Sequence, residues 1–247
     1  MKEKWLPIGW HNGGRSAIRC EVEGIMELKI SGVKKNYRRQ AVLENIELTA
    51  QSGSCIAILG ANGSGKSTLL SILAGVQRPD GGSFTLDGSD LFADPGLRSR
   101  MVGYVSQGTP LIPELSARDN LLLFYSREQL NQELSGGILA WLGIGEFLTK
   151  RVSQLSGGMK KRLSIGCAMA SHPPVLLLDE PTAALDLVCK QEIARYLAAY
   201  RQSGGIVVLT THEESELKLC DGWYILKNGR LVPYAYDGDV AHLTESL

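Results

Sequence analysis

The nine residues Gly60-Ala61-Asn62-Gly63-Ser64-Gly65-Lys66-Ser67-Thr68 carry the strongest chemical signal in the sequence. From Gly60 to Ser67 they match G-x-x-x-x-G-K-[ST], a loop whose backbone N–H groups converge on the phosphates of a nucleotide. Glycines at 60, 63 and 65 allow the chain to curl that tightly because no Cβ stands in the way. In such a loop Lys66 reaches the β- and γ-phosphates and the Ser67 hydroxyl meets Mg2+. A second cluster lies further along, where the apolar run 175–178 ends in Asp179 and Glu180. A carboxylate at the end of a buried strand is suited to meet Mg2+ beside the phosphate loop, and its neighbour can polarise the attacking water. Taken singly, a Gly-Ser loop before a helix or an acidic pair at a strand end carries no chemistry. Together, and in this order, they point to nucleotide binding and hydrolysis.

These residues need particular elements to hold them. The apolar run 55–59 predicts a buried parallel strand entering the loop. Residues 67–74 predict a helix leaving it, with its N-terminal partial positive charge aimed at the phosphates. Alternation at 26–30 and 43–48 predicts antiparallel strands ahead of the loop. A turn at 79–82, strands at 83–86, 101–106, 175–178 and 205–210, and a helix at 187–201 follow. Residues 117–170 give helical signals. Asn228-Gly229 between two apolar runs predicts a hairpin. The expected fold is α/β: a P-loop NTPase core with a mainly parallel sheet, N-terminal antiparallel strands and a small helical lobe at about 109–170. Residues 1–25 lack a period and read as an N-terminal extension of a domain spanning 26–247.

Composition narrows the classes further. Lys plus Arg and Asp plus Glu both number 26, which disfavours a nucleic-acid binder relying on bulk positive charge. No stretch reaches the roughly 20 apolar residues of a membrane-spanning helix. Lys2 and Lys4 are not followed by the apolar segment of a secretion signal. Cys20, Cys55, Cys167, Cys189 and Cys220 are scattered and read as small hydrophobes in a reducing cytoplasm, not as ligands or disulfides.

Further motifs, in order, give the chain from about 26 to 232 a resemblance to the nucleotide-binding subunits of ATP-binding cassette (ABC) transporters. Tyr37 matches that family's adenine-stacking aromatic. Gln107 matches a glutamine that meets Mg2+ and senses the transporter. Leu155-Ser156-Gly157-Gly158 matches the signature, the loop 181–186 ending in Asp186 matches one that crosses the dimer interface, and His212 matches a switch histidine. A second Leu-Ser-Gly-Gly occurs at 134–137. The copy at Ser156 is chosen because it stands nearer Asp179 and directly precedes a helical stretch. Ser135 reads instead as a possible N-cap in a turn opening a lobe helix. Met159 replaces the usual glutamine after the signature, and Ala184 stands where glycine is common. Residues 107–156 are short for an importer and point to a trimmed helical lobe, while Met159 resembles variants frequent in ATPases that power exporters with separate membrane subunits.

The resemblance implies that two cassettes sandwich two ATP molecules, with Ser156, Gly157 and Gly158 of one reaching the γ-phosphate held by the other. It implies Lys66, Gln107, Glu180 and His212 as catalytic groups, residues 60–68 with Tyr37 as the ATP site, and Ser67, Gln107 and Asp179 around Mg2+. The expected partners are ATP, a second cassette of the same or a related chain, and an integral membrane permease, with no nucleic acid. The expected location is the inner face of the cell membrane, through that permease. An importer ATPase and a soluble cassette are the alternatives, and a P-loop kinase has no use for the signature or His212.

Overall fold

A computed structural model describes residues 25–38, 40–108, 110–183 and 185–246, so the expected extension lies outside the described residues apart from Ile25. The described residues open with β1 (Glu27–Tyr37), β2 (Gln40–Gln51) and β3 (Cys55–Leu59), then α1 (Lys66–Leu73). Next come β4 (Gly81–Leu86), β5 (Ser89–Asp90), α2 (Pro95–Met101) and β6 (Val102–Val105). The lobe holds α3 (Ala117–Leu121), α4 (Arg127–Gly136), α5 (Ile138–Trp141), two 3-10 turns and α6 (Gly157–Ala168). The chain continues through β7 (Val175–Asp179), α7 (Leu187–Gln202), β8 (Ile206–Thr210), α8 (Glu214–Leu217), β9 (Gly222–Lys227), β10 (Arg230–Tyr234) and α9 (Val240–Ser246).

One ten-stranded sheet runs in the order β5-β4-β1-β2-β10-β9-β3-β8-β7-β6. Strands β9, β3, β8, β7 and β6 are mutually parallel, whereas β1 pairs antiparallel with β2 and β4. The N-terminal antiparallel strands are thus as expected, and β1 runs further than its alternation suggested, across several register shifts. The Asn228-Gly229 hairpin is present, with φ of 51° and 71° at its two turn residues. Those angles suit the tight turn whose twist matches the flanking strands.

The central parallel strands β3, β7 and β8 are fully buried, and apolar up to the Asp179 and Thr210 that end β7 and β8, because both faces are covered. In β3, Cys55, Ala57 and Leu59 pack into one core while Ile56 and Ile58 pack into the other. In β7, Leu176 and Leu178 take the first face, and Val175 and Leu177 the second. The first core continues into the helical lobe through Leu121, Leu130, Leu139, Phe147 and Leu163. This double burial holds the ends of β3, β7 and β8 in fixed register, and the candidate site is built on those ends.

The structure corrects the reading of Ser135. It is not an N-cap but lies in the last turn of α4, its hydroxyl donating to the Gln132 oxygen at 2.8 Å. Helix α4 begins instead at Ser126, whose side chain and that of Gln129 satisfy each other's backbone N–H groups in a capping box. The short helix α2 adds an element the periodicity did not reveal. Asp94 caps it, Pro95 starts it, and Met101, expected at the head of a strand, is its last residue.

Candidate active site

The phosphate loop takes backbone angles that only glycine adopts freely. Gly60 has φ 153° and Gly65 has φ 105°. A Cβ at Gly60 would stand 2.6 Å from the Ser64 Oγ, and one at Gly65 would stand 2.9 Å from a Val42 methyl. Helix α1 starts directly at Lys66, so its free N–H groups face the loop. The buried Lys66 ammonium donates to the loop carbonyls of Gly60 at 2.6 Å and Ala61 at 3.1 Å. Burial holds Lys66 below its ordinary value, against the opposing pull of Glu180 and Asp179. The Ser64 Oγ is buried with no protein partner among the described residues, and the space beyond Gly63 is open. A cradle of N–H donors, a buried cation and an orphaned hydroxyl fits a polyphosphate.

The carboxylates arrive on β7. Its register with β8 sets Asp179 opposite Thr210, whose hydroxyl donates to the Asp179 carboxylate at 2.6 Å. Glu180 follows with φ 47°, an angle rare for a residue with a side chain. Its amide is held by the Thr210 oxygen at 3.1 Å, which fixes the turn. Strained backbone held this firmly is typical of working positions.

Pairing of β6 with β7 brings Gln107 to the same edge, and its Nε2 donates to Glu180 Oε2 at 2.8 Å. His212, two residues past the end of β8, places its Nε2 at 3.9 Å from Glu180 Oε1. Two sequence candidates therefore converge on a third, the Glu180 carboxylate, at the carboxyl ends of parallel strands where open α/β sheets take ligands.

The other candidates stand apart from this centre. Tyr37 ends β1 with 43% of its surface exposed, its hydroxyl donating to the Gln77 side chain. Ser156 caps α6, accepting from the Met159 N–H at 3.2 Å, with Ser156 and Gly157 exposed and Gly158 packed on Cys189. Asp186 caps α7 by accepting from the Cys189 N–H at 2.9 Å, a bond that holds its carboxyl below the usual range. No described group of three or more His, Cys, Asp or Glu side chains forms a metal cage. Ser67, Gln107 and Asp179 supply oxygens, with one carboxylate among them. That donor set fits Mg2+ carried on phosphate oxygens.

Sequence reasoning missed three residues here. Thr210 orients Asp179, and only its place at the end of an apolar run hinted at this. Lys161 is buried inside α6, and Glu216 is buried beside the catalytic edge. Glu180, Ala183, Thr211, His212, Glu213 and Glu216 line a cavity of about 60 Å3, room for a few waters. Burial pushes the Glu216 carboxyl above the usual range. A buried charge inside an otherwise mixed helix leaves no pattern to read.

A phosphate loop on β3, a carboxylate pair on β7 and a histidine after β8 define a P-loop ATPase. The chain belongs to the ABC transporter family, whose model matches residues 43–183. It is 35% identical over 230 residues to Nod factor export ATP-binding protein I of Sinorhizobium fredii, covering 91% of this chain and 66% of that protein. It is 38% identical over 222 residues to the macrolide export ATP-binding/permease protein MacB 1 of Aeromonas hydrophila, covering 83% of this chain and 34% of the relative. The solved dimeric cassette MJ0796, in a post-hydrolysis state with ADP and Pi, is 30% identical with a TM-score of 0.72, covering 83% and 96% of the two chains.

Proposed function

We propose that the chain is the ATP-hydrolysing subunit of an exporter whose membrane-spanning permease is a separate chain. The observation that carries this reading is the convergence of Gln107 and His212 on Glu180 beside the phosphate loop. Lys66 leaves the Gly60 and Ala61 carbonyls for the β- and γ-phosphates, and Tyr37 offers its exposed ring to the adenine. Glu180 takes the proton of the attacking water, with Gln107 and His212 holding its carboxylate in place. Mg2+, held by Ser67, Gln107 and Asp179, would neutralise charge gathering on the phosphate oxygens.

The exposed Ser156 and Gly157 at the start of α6 suit a trans role, in which the N-terminus of a helix meets the nucleotide of a second cassette. Leu187 and Val188, both exposed beside Asp186, give that dimer an apolar contact. The second cassette is another copy or a related chain.

No described helix is long and apolar enough to cross a membrane. The candidate partner surface lies on the lobe that follows Gln107 in the chain. Leu121 and Tyr125 turn inward, while Leu123 and Phe124 are 59% and 58% exposed, with Ile112 at 41%. Apolar side chains left outward on one lobe suit a permease helix. Export is favoured over import by Met159, by the short lobe and by the two export relatives, and it places the chain on the cytoplasmic face of the membrane. Ile112→Asp should leave the subunit folded and hydrolysing ATP while abolishing its co-purification with the permease. Co-purification at wild-type yield would rule out this surface.

A further inference from the structure

The signature helix carries a lysine, Lys161, to which the sequence reading gave no role. Lys161 stands one turn inside α6 from its Ser156 cap and is only 4% exposed. Its ammonium donates to the backbone oxygens of Ser106 at 3.2 Å and Gln107 at 3.5 Å. A lysine so near the start of a helix ordinarily sends its charge to water, because burying an ammonium is costly. Here burial holds the ammonium below its ordinary value and is offset only in part, at longer range, by Asp179, Glu216 and Glu180. The two carbonyls it holds belong to the turn that leaves β6 and carries Gln107.

Contacts continue from that turn into the catalytic centre. Gln107 Nε2 donates to Glu180 at 2.8 Å. An unbroken path therefore runs from the Ser156 cap through one turn of α6 and the Lys161 ammonium to Gln107 and Glu180. In the dimer its two ends serve different nucleotides. Ser156 and Gly157 face the one on the partner's phosphate loop, whereas Gln107 and Glu180 act on the chain's own.

We propose that Lys161 is a positioning residue that couples the two nucleotide sites of the dimer. When α6 engages the partner's nucleotide, the ammonium carries the backbone at 106–107 with it and sets Gln107 against Glu180. The coupling rests on the dimeric reading above, but the tie between α6 and the 106–107 turn belongs to the single chain and can be tested on it alone. Ser106 and Gln107 offer carbonyls that any cation of the right reach can bridge, so Lys161→Arg should preserve the link. Lys161→Met keeps the length and removes both the charge and the donors.

In the nucleotide-free chain, Lys161→Met should speed hydrogen exchange at residues 106–108 by about fivefold or more, with the 60–68 loop unchanged. Equilibrium ATP affinity should stay within about twofold, because the phosphate loop is untouched. The Hill coefficient of hydrolysis should fall to about 1, and Lys161→Arg should restore it. Unchanged exchange with an unchanged Hill coefficient would overturn the proposal, as would a loss of ATP affinity matching the loss of turnover. If Lys161→Met does not fold, Lys161→Gln carries the same exchange test, with faster exchange expected and unchanged exchange refuting. Absence of ATP-dependent dimers in the wild-type chain would overturn the dimeric reading and not the tie.

Discussion

Replacing Glu180 by glutamine removes the proposed base and almost nothing else. The side chain keeps its length and shape, and an amide oxygen can still accept from Gln107, as the carboxylate does at 2.8 Å. The backbone turn at φ 47° is held by Thr210 through main-chain contacts that the substitution does not touch. Two effects remain. Loss of one negative charge near Lys66 makes the site more attractive to a polyphosphate, so ATP binding is retained or tightened. Loss of the proton acceptor raises the barrier. A positioned general base is worth roughly 10²–10⁴ in rate, or about 3–5 kcal/mol at 1.36 kcal/mol per decade. The second effect dominates turnover, and closure no longer leads to hydrolysis. Phosphate release at saturating ATP should therefore fall by that factor, and size-exclusion chromatography with ATP should show an accumulated dimer. Hydrolysis within about threefold of wild type would refute the role of Glu180 as the base.

The two Leu-Ser-Gly-Gly copies should separate cleanly. Ser156→Arg should abolish cooperative hydrolysis by placing a bulky cation at the trans site, whereas Ser135→Arg, in an exposed last turn of α4, should cost no more than about 0.5 kcal/mol in a melt. Equal loss of activity in both, at equal folding, would contradict the assignment. Glu216 gives a pH test. Its carboxyl is raised above the ordinary 4.5, so the native state keeps a proton that the unfolded chain releases. That contribution is complete below pH 4.5 and is lost as pH rises towards the folded value. Glu216→Gln has no such loss, so its melting temperature should climb relative to wild type as pH rises above 4.5. A gap that does not change with pH would show that the carboxyl is not held protonated.

Much of this was legible because the relevant physics is local. Apolar runs ending in Asp179 or in Thr210 can only be strands covered on both faces, and glycines at 60, 63 and 65 announce a backbone that must curl. What failed was local too. Leu-Ser-Gly-Gly at 134–137 has the letters of a helix start, and α5 does begin behind Gly137, yet Ser135 itself lies in the last turn of α4. The deciding signal was Ser126-Arg127-Glu128-Gln129, a capping box that opens α4 and so carries Ser135 into its last turn. Helix α2 was too short to show a period, although Asp94-Pro95 marks its start. Lys161 and Glu216 could not be found from sequence at all. Their burial depends on where α6 and α8 pack against the sheet, and a charged residue in a helix otherwise reads as solvent-facing.

The central claim is that each nucleotide is served by the phosphate loop of one chain and the signature of another. It is tested most directly by mixing two silent variants, Lys66→Ala and Ser156→Arg. In a mixed dimer one site combines both defects, while the other joins the intact loop of one chain to the intact signature of its partner. With random pairing, half the dimers are mixed and each has one sound site, so hydrolysis should rise above that of either variant alone, to at most about a quarter of the wild-type rate, the value for uncoupled sites. A mixture as inactive as its two components, prepared from variants that are both folded, would contradict the claim.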